Sequence, residues 1–186
     1  MMGGVVTNLE LFADHYQIHV LDDDSEGDLS VVWTDRAFLD GLGVAEDGLA
    51  ICTDTNMIVD VGVEVLAQEP DDDSDDYDHV VEASVNLVSG RMVVLGCTDY
   101  LPDAARIDVP AGWTRVRVSR RNLAAAVFPD RDCEDEPEAV LEDIRLQAWP
   151  APAPRRAPTN AGSAPTRSGP RAFAAPNDAA FALHMP

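Results

Sequence analysis

Lysine is missing from this chain: all thirteen basic residues are arginine, set against 34 acidic residues, for a formal net charge of −21. So large an excess of negative charge repels nucleic acid and anionic membranes and attracts cationic surfaces, which argues against direct nucleic-acid binding. The want of lysine itself fits a GC-rich coding sequence and carries no mechanism. Cysteine is scarce too. Cys52, Cys97 and Cys133 are odd in number and stand at no metal-ligand spacing, so reduced thiols are expected rather than bridges. No apolar run approaches the roughly 18 residues of a membrane helix. Met1 to Glu10 lack a basic residue ahead of an apolar run, so neither a membrane span nor a secretory signal is expected, and the cytoplasm is the expected compartment.

Aromatic residues make up only 6% of the chain, and Trp33, Trp113 and Trp149 read as core or core-edge fillers. A nucleic-acid reader would interleave such residues with basic ones on a single face. The one basic cluster before the tail, Arg115, Arg117, Arg120 and Arg121, reads instead as counter-charge to Asp and Glu on neighbouring strands.

What is abundant is carboxylate, and it is bunched. Eighteen of the 34 acidic residues fall in three short stretches, Asp22 to Asp28, Glu69 to Asp78 and Asp130 to Glu138. The last 37 residues hold four arginines and one aspartate, so residues 1–149 carry about −24 and the rest about +3. At 186 residues, 46% apolar and 25% charged, the chain can build one core. A domain over 1–149 is expected, followed by a tail over 150–186. That tail is rich in Pro, Ala, Ser and Gly; it cannot bury enough surface to offset chain entropy and is expected to be disordered.

Hydrophobic period assigns the domain to strands. Leu9 to Leu21 reads as one strand, with Phe12, Tyr16, Ile18 and Val20 mostly on one side and His15, Gln17 and His19 on the other. Thr34 is placed to cap one or two helical turns through Ala37, Phe38 and Leu39 that end near Gly41 or Gly43. Asp47-Gly48 signals a turn, after which Leu49 to Thr53 and Met57 to Ala67 read as a hairpin. His79 to Val88 alternates, Ser89-Gly90 turns the chain, and Arg91 to Thr98 is apolar on both faces, which predicts a central strand. Arg106 to Val109, Trp113 to Ser119 and Ala139 to Trp149 complete the set, with a helical turn or two over Arg120 to Val127. About eight strands without regular strand and helix alternation predict an all-β fold, an antiparallel β-sandwich with one or two short helical turns and a disordered C-terminal tail.

Motifs that carry chemistry are few. Asp22-Asp23-Asp24-Ser25-Glu26-Gly27-Asp28 offers oxygen ligands and a glycine at the sixth position of a calcium loop, yet Trp33 stands at the twelfth, where a bidentate glutamate is needed. A solvated acidic turn is the simpler reading, and no metal site is assigned. Asp14 with His15, and Asp78 with His79, cannot orient one another along a strand, because adjacent side chains point to opposite faces. Cys97, beside Thr98 and Asp99, lies in an apolar run where a thiol is buried and inert. The chain has no Gly-rich phosphate loop, nucleophile elbow, Cys-x-x-Cys or His-x-x-x-His pair. These absences point away from an enzyme and from a cofactor.

The strand His15-Tyr16-Gln17-Ile18, the acidic gap, and Trp33-Thr34-Asp35 followed by Ala37, Gly41 and Asp47-Gly48 at the head of an apolar strand resemble the N-terminal half of the competence protein J (ComJ) family. The run Arg106-Ile107-Asp108-Val109-Pro110-Ala111-Gly112-Trp113 is similar to that family's strand, Pro-x-Gly turn and aromatic-led strand. The likeness spans residues 9–119, with the Trp-Thr-Asp block and its spacing to Asp-Gly its specific part; the acidic stretch at 130–138 and the arginine-bearing tail depart from it. Members of that family inhibit the DNA-entry nuclease made beside them, so the resemblance implies a cognate nuclease, or another basic protein, as partner. A nuclease that grips DNA presents a basic groove, and carboxylates at the loop tips of a rigid protein can occupy it as phosphate mimics. The expected contacts are Asp22, Asp23, Asp24, Glu26 and Asp28, then Asp71, Asp72, Asp73, Asp75 and Asp76, while His15, Tyr16, Gln17, Trp33, Thr34, Asp35 and Gly48 carry the family motif. Two other readings stay open: a small sandwich that binds divalent metal or another ligand, and an accessory domain whose charge serves solubility and that has no basic partner.

Overall fold

Alternating apolar and polar side chains build ten strands in the computed structural model, which describes residues 6–26, 28–124 and 142–154. In chain order these are β1 (Val6–Phe12), β2 (Gln17–Asp22), β3 (Leu42–Val44), β4 (Gly48–Cys52), β5 (Ile58–Val65), β6 (His79–Leu87), β7 (Arg91–Gly96), β8 (Ala105–Asp108), β9 (Gly112–Arg121) and β10 (Asp143–Pro150), with one short helix, α1 (Asp35–Asp40), before β3. They form two five-stranded sheets, one ordered β1-β5-β10-β9-β6 and the other β3-β4-β2-β7-β8. Neighbours run antiparallel except β5 and β10, which are parallel. The fold is the all-β sandwich expected, rich in antiparallel pairs, with ten strands rather than about eight. No helix among the described residues is long and apolar enough to cross a membrane.

The inward halves of the strands meet between the sheets. Val59, Val61, Val63, Val116, Val118, Ile144, Leu146 and Leu87 from the first sheet pack against Ile18, Val20, Leu49, Ile51, Met92 and Val94 from the second. Fully burying each such side chain contributes roughly 1.5–3 kcal/mol before chain entropy is counted. A smaller cluster covers the far face of the second sheet, where Leu21, Ala50, Val93 and Leu95 lie under Leu29, Val32, Trp33, Leu101 and Ala104. This second layer explains why β7 is apolar on both faces. It lies between β2 and β8 as an interior strand, and the middle place belongs to β2.

Three elements depart from the sequence reading. Leu9 to Leu21 is two strands in different sheets, separated by a turn of 3-10 helix over Asp14–Tyr16 in which His15 and Tyr16 take φ of 52° and 59°. The only interruption of the apolar side is Asp14, a single polar position between Phe12 and Tyr16 on that side, which the period reading passed over. Leu49 to Thr53 and Met57 to Ala67 do not form a hairpin: β4 pairs with β2 and β3, whereas β5 crosses to the other sheet and pairs with β1 and β10. β9 continues through Arg120 and Arg121, where a helical turn was expected. Leu123 and Ala124 are helical, so part of that turn is present; its remainder over 125–127, the acidic stretch 130–138 with Cys133, and the tail from 155 lie outside the described residues. The expected helix is present. The Thr34 hydroxyl accepts the Ala37 N–H at 3.1 Å, and Gly41 closes the helix at φ 64°.

Candidate interaction surfaces

The first acidic stretch leaves the end of β2 and is divided between anchors and exposed groups. Asp22 is buried; its Oδ2 accepts the Ser89 N–H at 3.0 Å and the Ser89 hydroxyl at 2.8 Å, and its Oδ1 accepts the Asp24 N–H at 3.1 Å. Asp23 is largely covered and bridges two arginines, Arg91 at 2.9 Å and Arg106 at 2.7 Å. These two carboxylates fasten the stretch to the turn between β6 and β7 and to β8, and as placed they offer little to a partner. Asp24, Glu26 and Asp28 are exposed. Asp28 lies below the usual carboxylate range because the Ser30 side chain and backbone N–H hydrogen-bond to it. Exposed Glu46 belongs to the same end, since its carbonyl accepts the Asn86 N–H at 2.7 Å and that of its neighbour Asp47 accepts the Asp22 N–H at 2.9 Å.

The second stretch connects β5 to β6, which are not neighbours, so it must cross β10 and β9 on the outside of the first sheet. The outward residues there are arginines, and they hold it down. Arg145 makes a two-pronged contact with Asp73, Nη2 to Oδ1 at 2.8 Å and Nη1 to Oδ2 at 2.7 Å, which holds the Asp73 carboxyl below its ordinary range. Arg117 donates to the Asp71 carbonyl at 3.0 Å and to Glu82 on the adjacent strand at 2.7 Å. The Tyr77 ring lies 4.4 Å from the Arg145 guanidinium and 5.9 Å from that of Arg121. Arg117 is thus the counter-charge expected, and it also stacks 5.5 Å from the Trp149 ring. Asp71, Asp72, Asp75 and Asp76 remain exposed, with Asp72 Oδ1 accepting the Ser74 N–H at 3.1 Å.

The two stretches lie on opposite sides of the sandwich. The segment that follows Asp28 covers the far face of the second sheet through Leu29, Val32 and Trp33, while the segment 69–78 covers the far face of the first. One flat partner surface therefore cannot meet both at once.

The family-motif residues have structural explanations. Trp33 stacks on Phe38, with ring centroids 5.2 Å apart. Thr34 caps α1, and Asp35 occupies its acidic first turn. Gly48 is tightly enclosed, since a Cβ there would come 2.7 Å from Leu21 Cδ2. Gln17 opens β2, and its Oε1 lies 3.2 Å from the His19 Nε2. His15 and Tyr16 form the left-handed knuckle between the sheets, both exposed; Asp14 beneath them accepts the Thr98 hydroxyl at 3.0 Å, and its carbonyl accepts the Cys97 thiol at 3.0 Å.

Period and motif reasoning missed a buried polar cluster at the other end of β9. Arg120 and Glu142 are almost fully enclosed, with Arg120 Nε donating to Glu142 Oε1 at 2.6 Å. Glu142 Oε2 accepts the Asp54 N–H at 2.7 Å, and Arg120 Nη2 lies 3.4 Å from Asp54 Oδ1 without hydrogen-bond alignment. Burial raises Glu142 in spite of Arg120, pushes the nearby Cys52 thiol up to about 11, and holds His79 below its ordinary value, with Arg120 adding to the effect on His79. A Cβ on Gly41 would come 3.4 Å from Arg120 Nη1 and 3.5 Å from His79 Cε1. The cluster ties β9 and β10 to the segment after β4. Among the described residues, no three His, Cys, Asp or Glu side chains converge as a metal site would require, and Cys52 and Cys97 are free thiols.

No family model and no curated protein matches this sequence. Among solved structures, the chain is similar to ComJ from Bacillus subtilis, described as the inhibitor of the DNA-degrading activity of NucA, at 16% identity and a TM-score of 0.59 over 78% of this chain and 96% of that one. It is also similar to the protein of crocagin biosynthetic gene J, at 19% identity and a TM-score of 0.52 over 80% of this chain and 99% of that one. At these identities the likeness is one of fold, and the ComJ resemblance read from the sequence is matched by a ComJ-like sandwich that extends over nearly the whole of that inhibitor.

Proposed function

We propose that this protein is a non-enzymatic inhibitor or immunity-type protein that acts in the cytoplasm on a nuclease or similarly basic protein, using exposed carboxylates to occupy a groove built for phosphate. The observation that carries this reading is the shared fold with the NucA inhibitor over 96% of that chain. A net charge of −21 supports it, because a basic groove and an anionic scaffold attract one another at long range. Asp24, Glu26 and Asp28 stand on a turn pinned by Asp22 and Asp23, so binding them costs little ordering entropy. Asp71, Asp75 and Asp76 stand on a segment pinned by Asp73 and Tyr77.

Because the stretches face opposite ways, neutralising them separately is informative. Replacing Asp24, Glu26 and Asp28 by Asn and Gln, or Asp71, Asp75 and Asp76 by Asn, should weaken inhibition in one set far more than in the other. Retention of full inhibition when both sets are neutral would overturn the carboxylate mechanism.

A further inference from the structure

Among the described residues, the outer face of the first sheet is covered over only part of its width. Segment 69–78 crosses β10 and β9, where Asp73 and Tyr77 meet Arg145 and Arg121. Over β1 and β5 the outward side chains stay exposed, and some are apolar. Phe12 and Ile58 are cross-strand partners, 44% and 56% exposed. Met57, whose carbonyl accepts the Ala13 N–H at 2.9 Å, extends this corner at 55% exposure.

The next outward row is charged. Glu10 is opposite Asp60, and Asp60 is opposite Asp143, so three carboxylates stand side by side across β1, β5 and β10. Cross-strand neighbours are about 4.5–5.5 Å apart, and like charges so placed are destabilising. Asp143 is answered by Arg121, whose Nε donates at 2.6 Å. Glu10 and Asp60 have no ion pair or side-chain hydrogen bond among the described residues. Gly62, the following outward position on β5, has no side chain, which leaves a groove bordered by Asn8, Glu10 and Asp60 on one side and by Asp143 with its partner Arg121 on the other.

We propose that this open sheet face is the docking surface for a basic protein, which seats an arginine or lysine in the groove and an apolar side chain against Phe12 and Ile58. The inference rests on the inhibitor reading and names its surface. A cation entering the carboxylate row relieves the like-charge cost while Phe12, Ile58 and Met57 lose water. Attraction that speeds encounter and apolar contact that slows release then come from one face, which segment 69–78 borders and to which its exposed carboxylates add, while Asp24, Glu26 and Asp28 steer from the other side. A second copy of this chain, carrying the same carboxylates, is repelled there.

The test is amide hydrogen exchange of the full chain alone, mixed with NucA, and mixed with a nona-arginine peptide, alongside binding by the Ile58→Ser and Asp60→Asn variants. The expected result is protection of β1 and β5 in both mixtures. Each variant should lose roughly tenfold in affinity for the nuclease, a loss that Asp24→Asn with Glu26→Gln does not produce. Asp60→Asn should also raise the melting temperature of the free chain, so that lost binding cannot be put down to unfolding. NucA binding with protection confined to 22–28 or 69–78 overturns the surface and leaves the inhibitor reading standing. Failure of the wild-type chain to bind NucA counts against the inhibitor reading, and the peptide then decides the surface: weaker peptide binding by Asp60→Asn supports it, and unchanged binding overturns it.

Discussion

Asp22, Asp23 and Asp24 are neighbours of one chemical type with different tasks, set by what reaches them. Asp22 and Asp23 are enclosed by Ser89, Arg91 and Arg106, while Asp24 is exposed. Asp22→Ala removes a buried acceptor of two Ser89 hydrogen bonds, leaves the part-buried Ser89 N–H unpaired and should cost about 1–3 kcal/mol in urea unfolding, whereas Asp24→Ala should leave the midpoint where it is. The acidic run was legible as sequence; this division was not, because Ser89 and Arg106 lie 67 and 83 positions from their partners. His79 makes a second residue-level case. Burial, then Arg120, holds it below its ordinary value of 6.5. The unfolded chain therefore takes up this proton first as pH falls, so the stability His79 contributes is fully present above about pH 6.5 and is lost below it, through the folded-state value. Urea midpoints between about pH 7 and about pH 5 should fall in the wild type and fall less in His79→Gln. The remaining slope includes His19, which burial shifts the same way.

Among the elements, the knuckle between β1 and β2 decides how the sheets are joined. It needs a glycine on the strand beside it: a Cβ on Gly96 would stand 2.3 Å from the Phe12 carbonyl oxygen. Gly96→Ala must push that backbone away, and an overpacking cost of about 1–3 kcal/mol is expected in a thermal or urea melt. An unchanged melt would show that the chain crosses between the sheets by another path. Elements defined by local signals were readable, as with the Thr34 cap, the tight turn after β6 and the alternation in β9. The break at His15 and Tyr16 was not, since two consecutive non-glycine residues at positive φ carry no propensity signal. Nor was the parallel pairing of β5 with β10, which joins Asp60 to Asp143 across the chain and builds the carboxylate row.

At the scale of the whole molecule, a sandwich with cationic side chains largely turned onto its own aspartates carries its surplus negative charge outward. Arg91, Arg106, Arg117, Arg120, Arg121 and Arg145 all contact acidic side chains. The fold class and the anionic character were legible from alternation and composition; the arrangement of the acidic stretches on opposite faces depended on a crossover that no local pattern announces. Long-range attraction between such a body and a basic enzyme is screened within about 8 Å at physiological ionic strength, so salt separates steering from contact. The most direct check of the central claim is a titration of the activity of a basic nuclease, first the one encoded beside this protein, with the purified chain at low and at physiological salt. Stoichiometric inhibition whose association rate falls as salt rises is the expected result; undiminished nuclease activity with the chain in excess at low salt would contradict it.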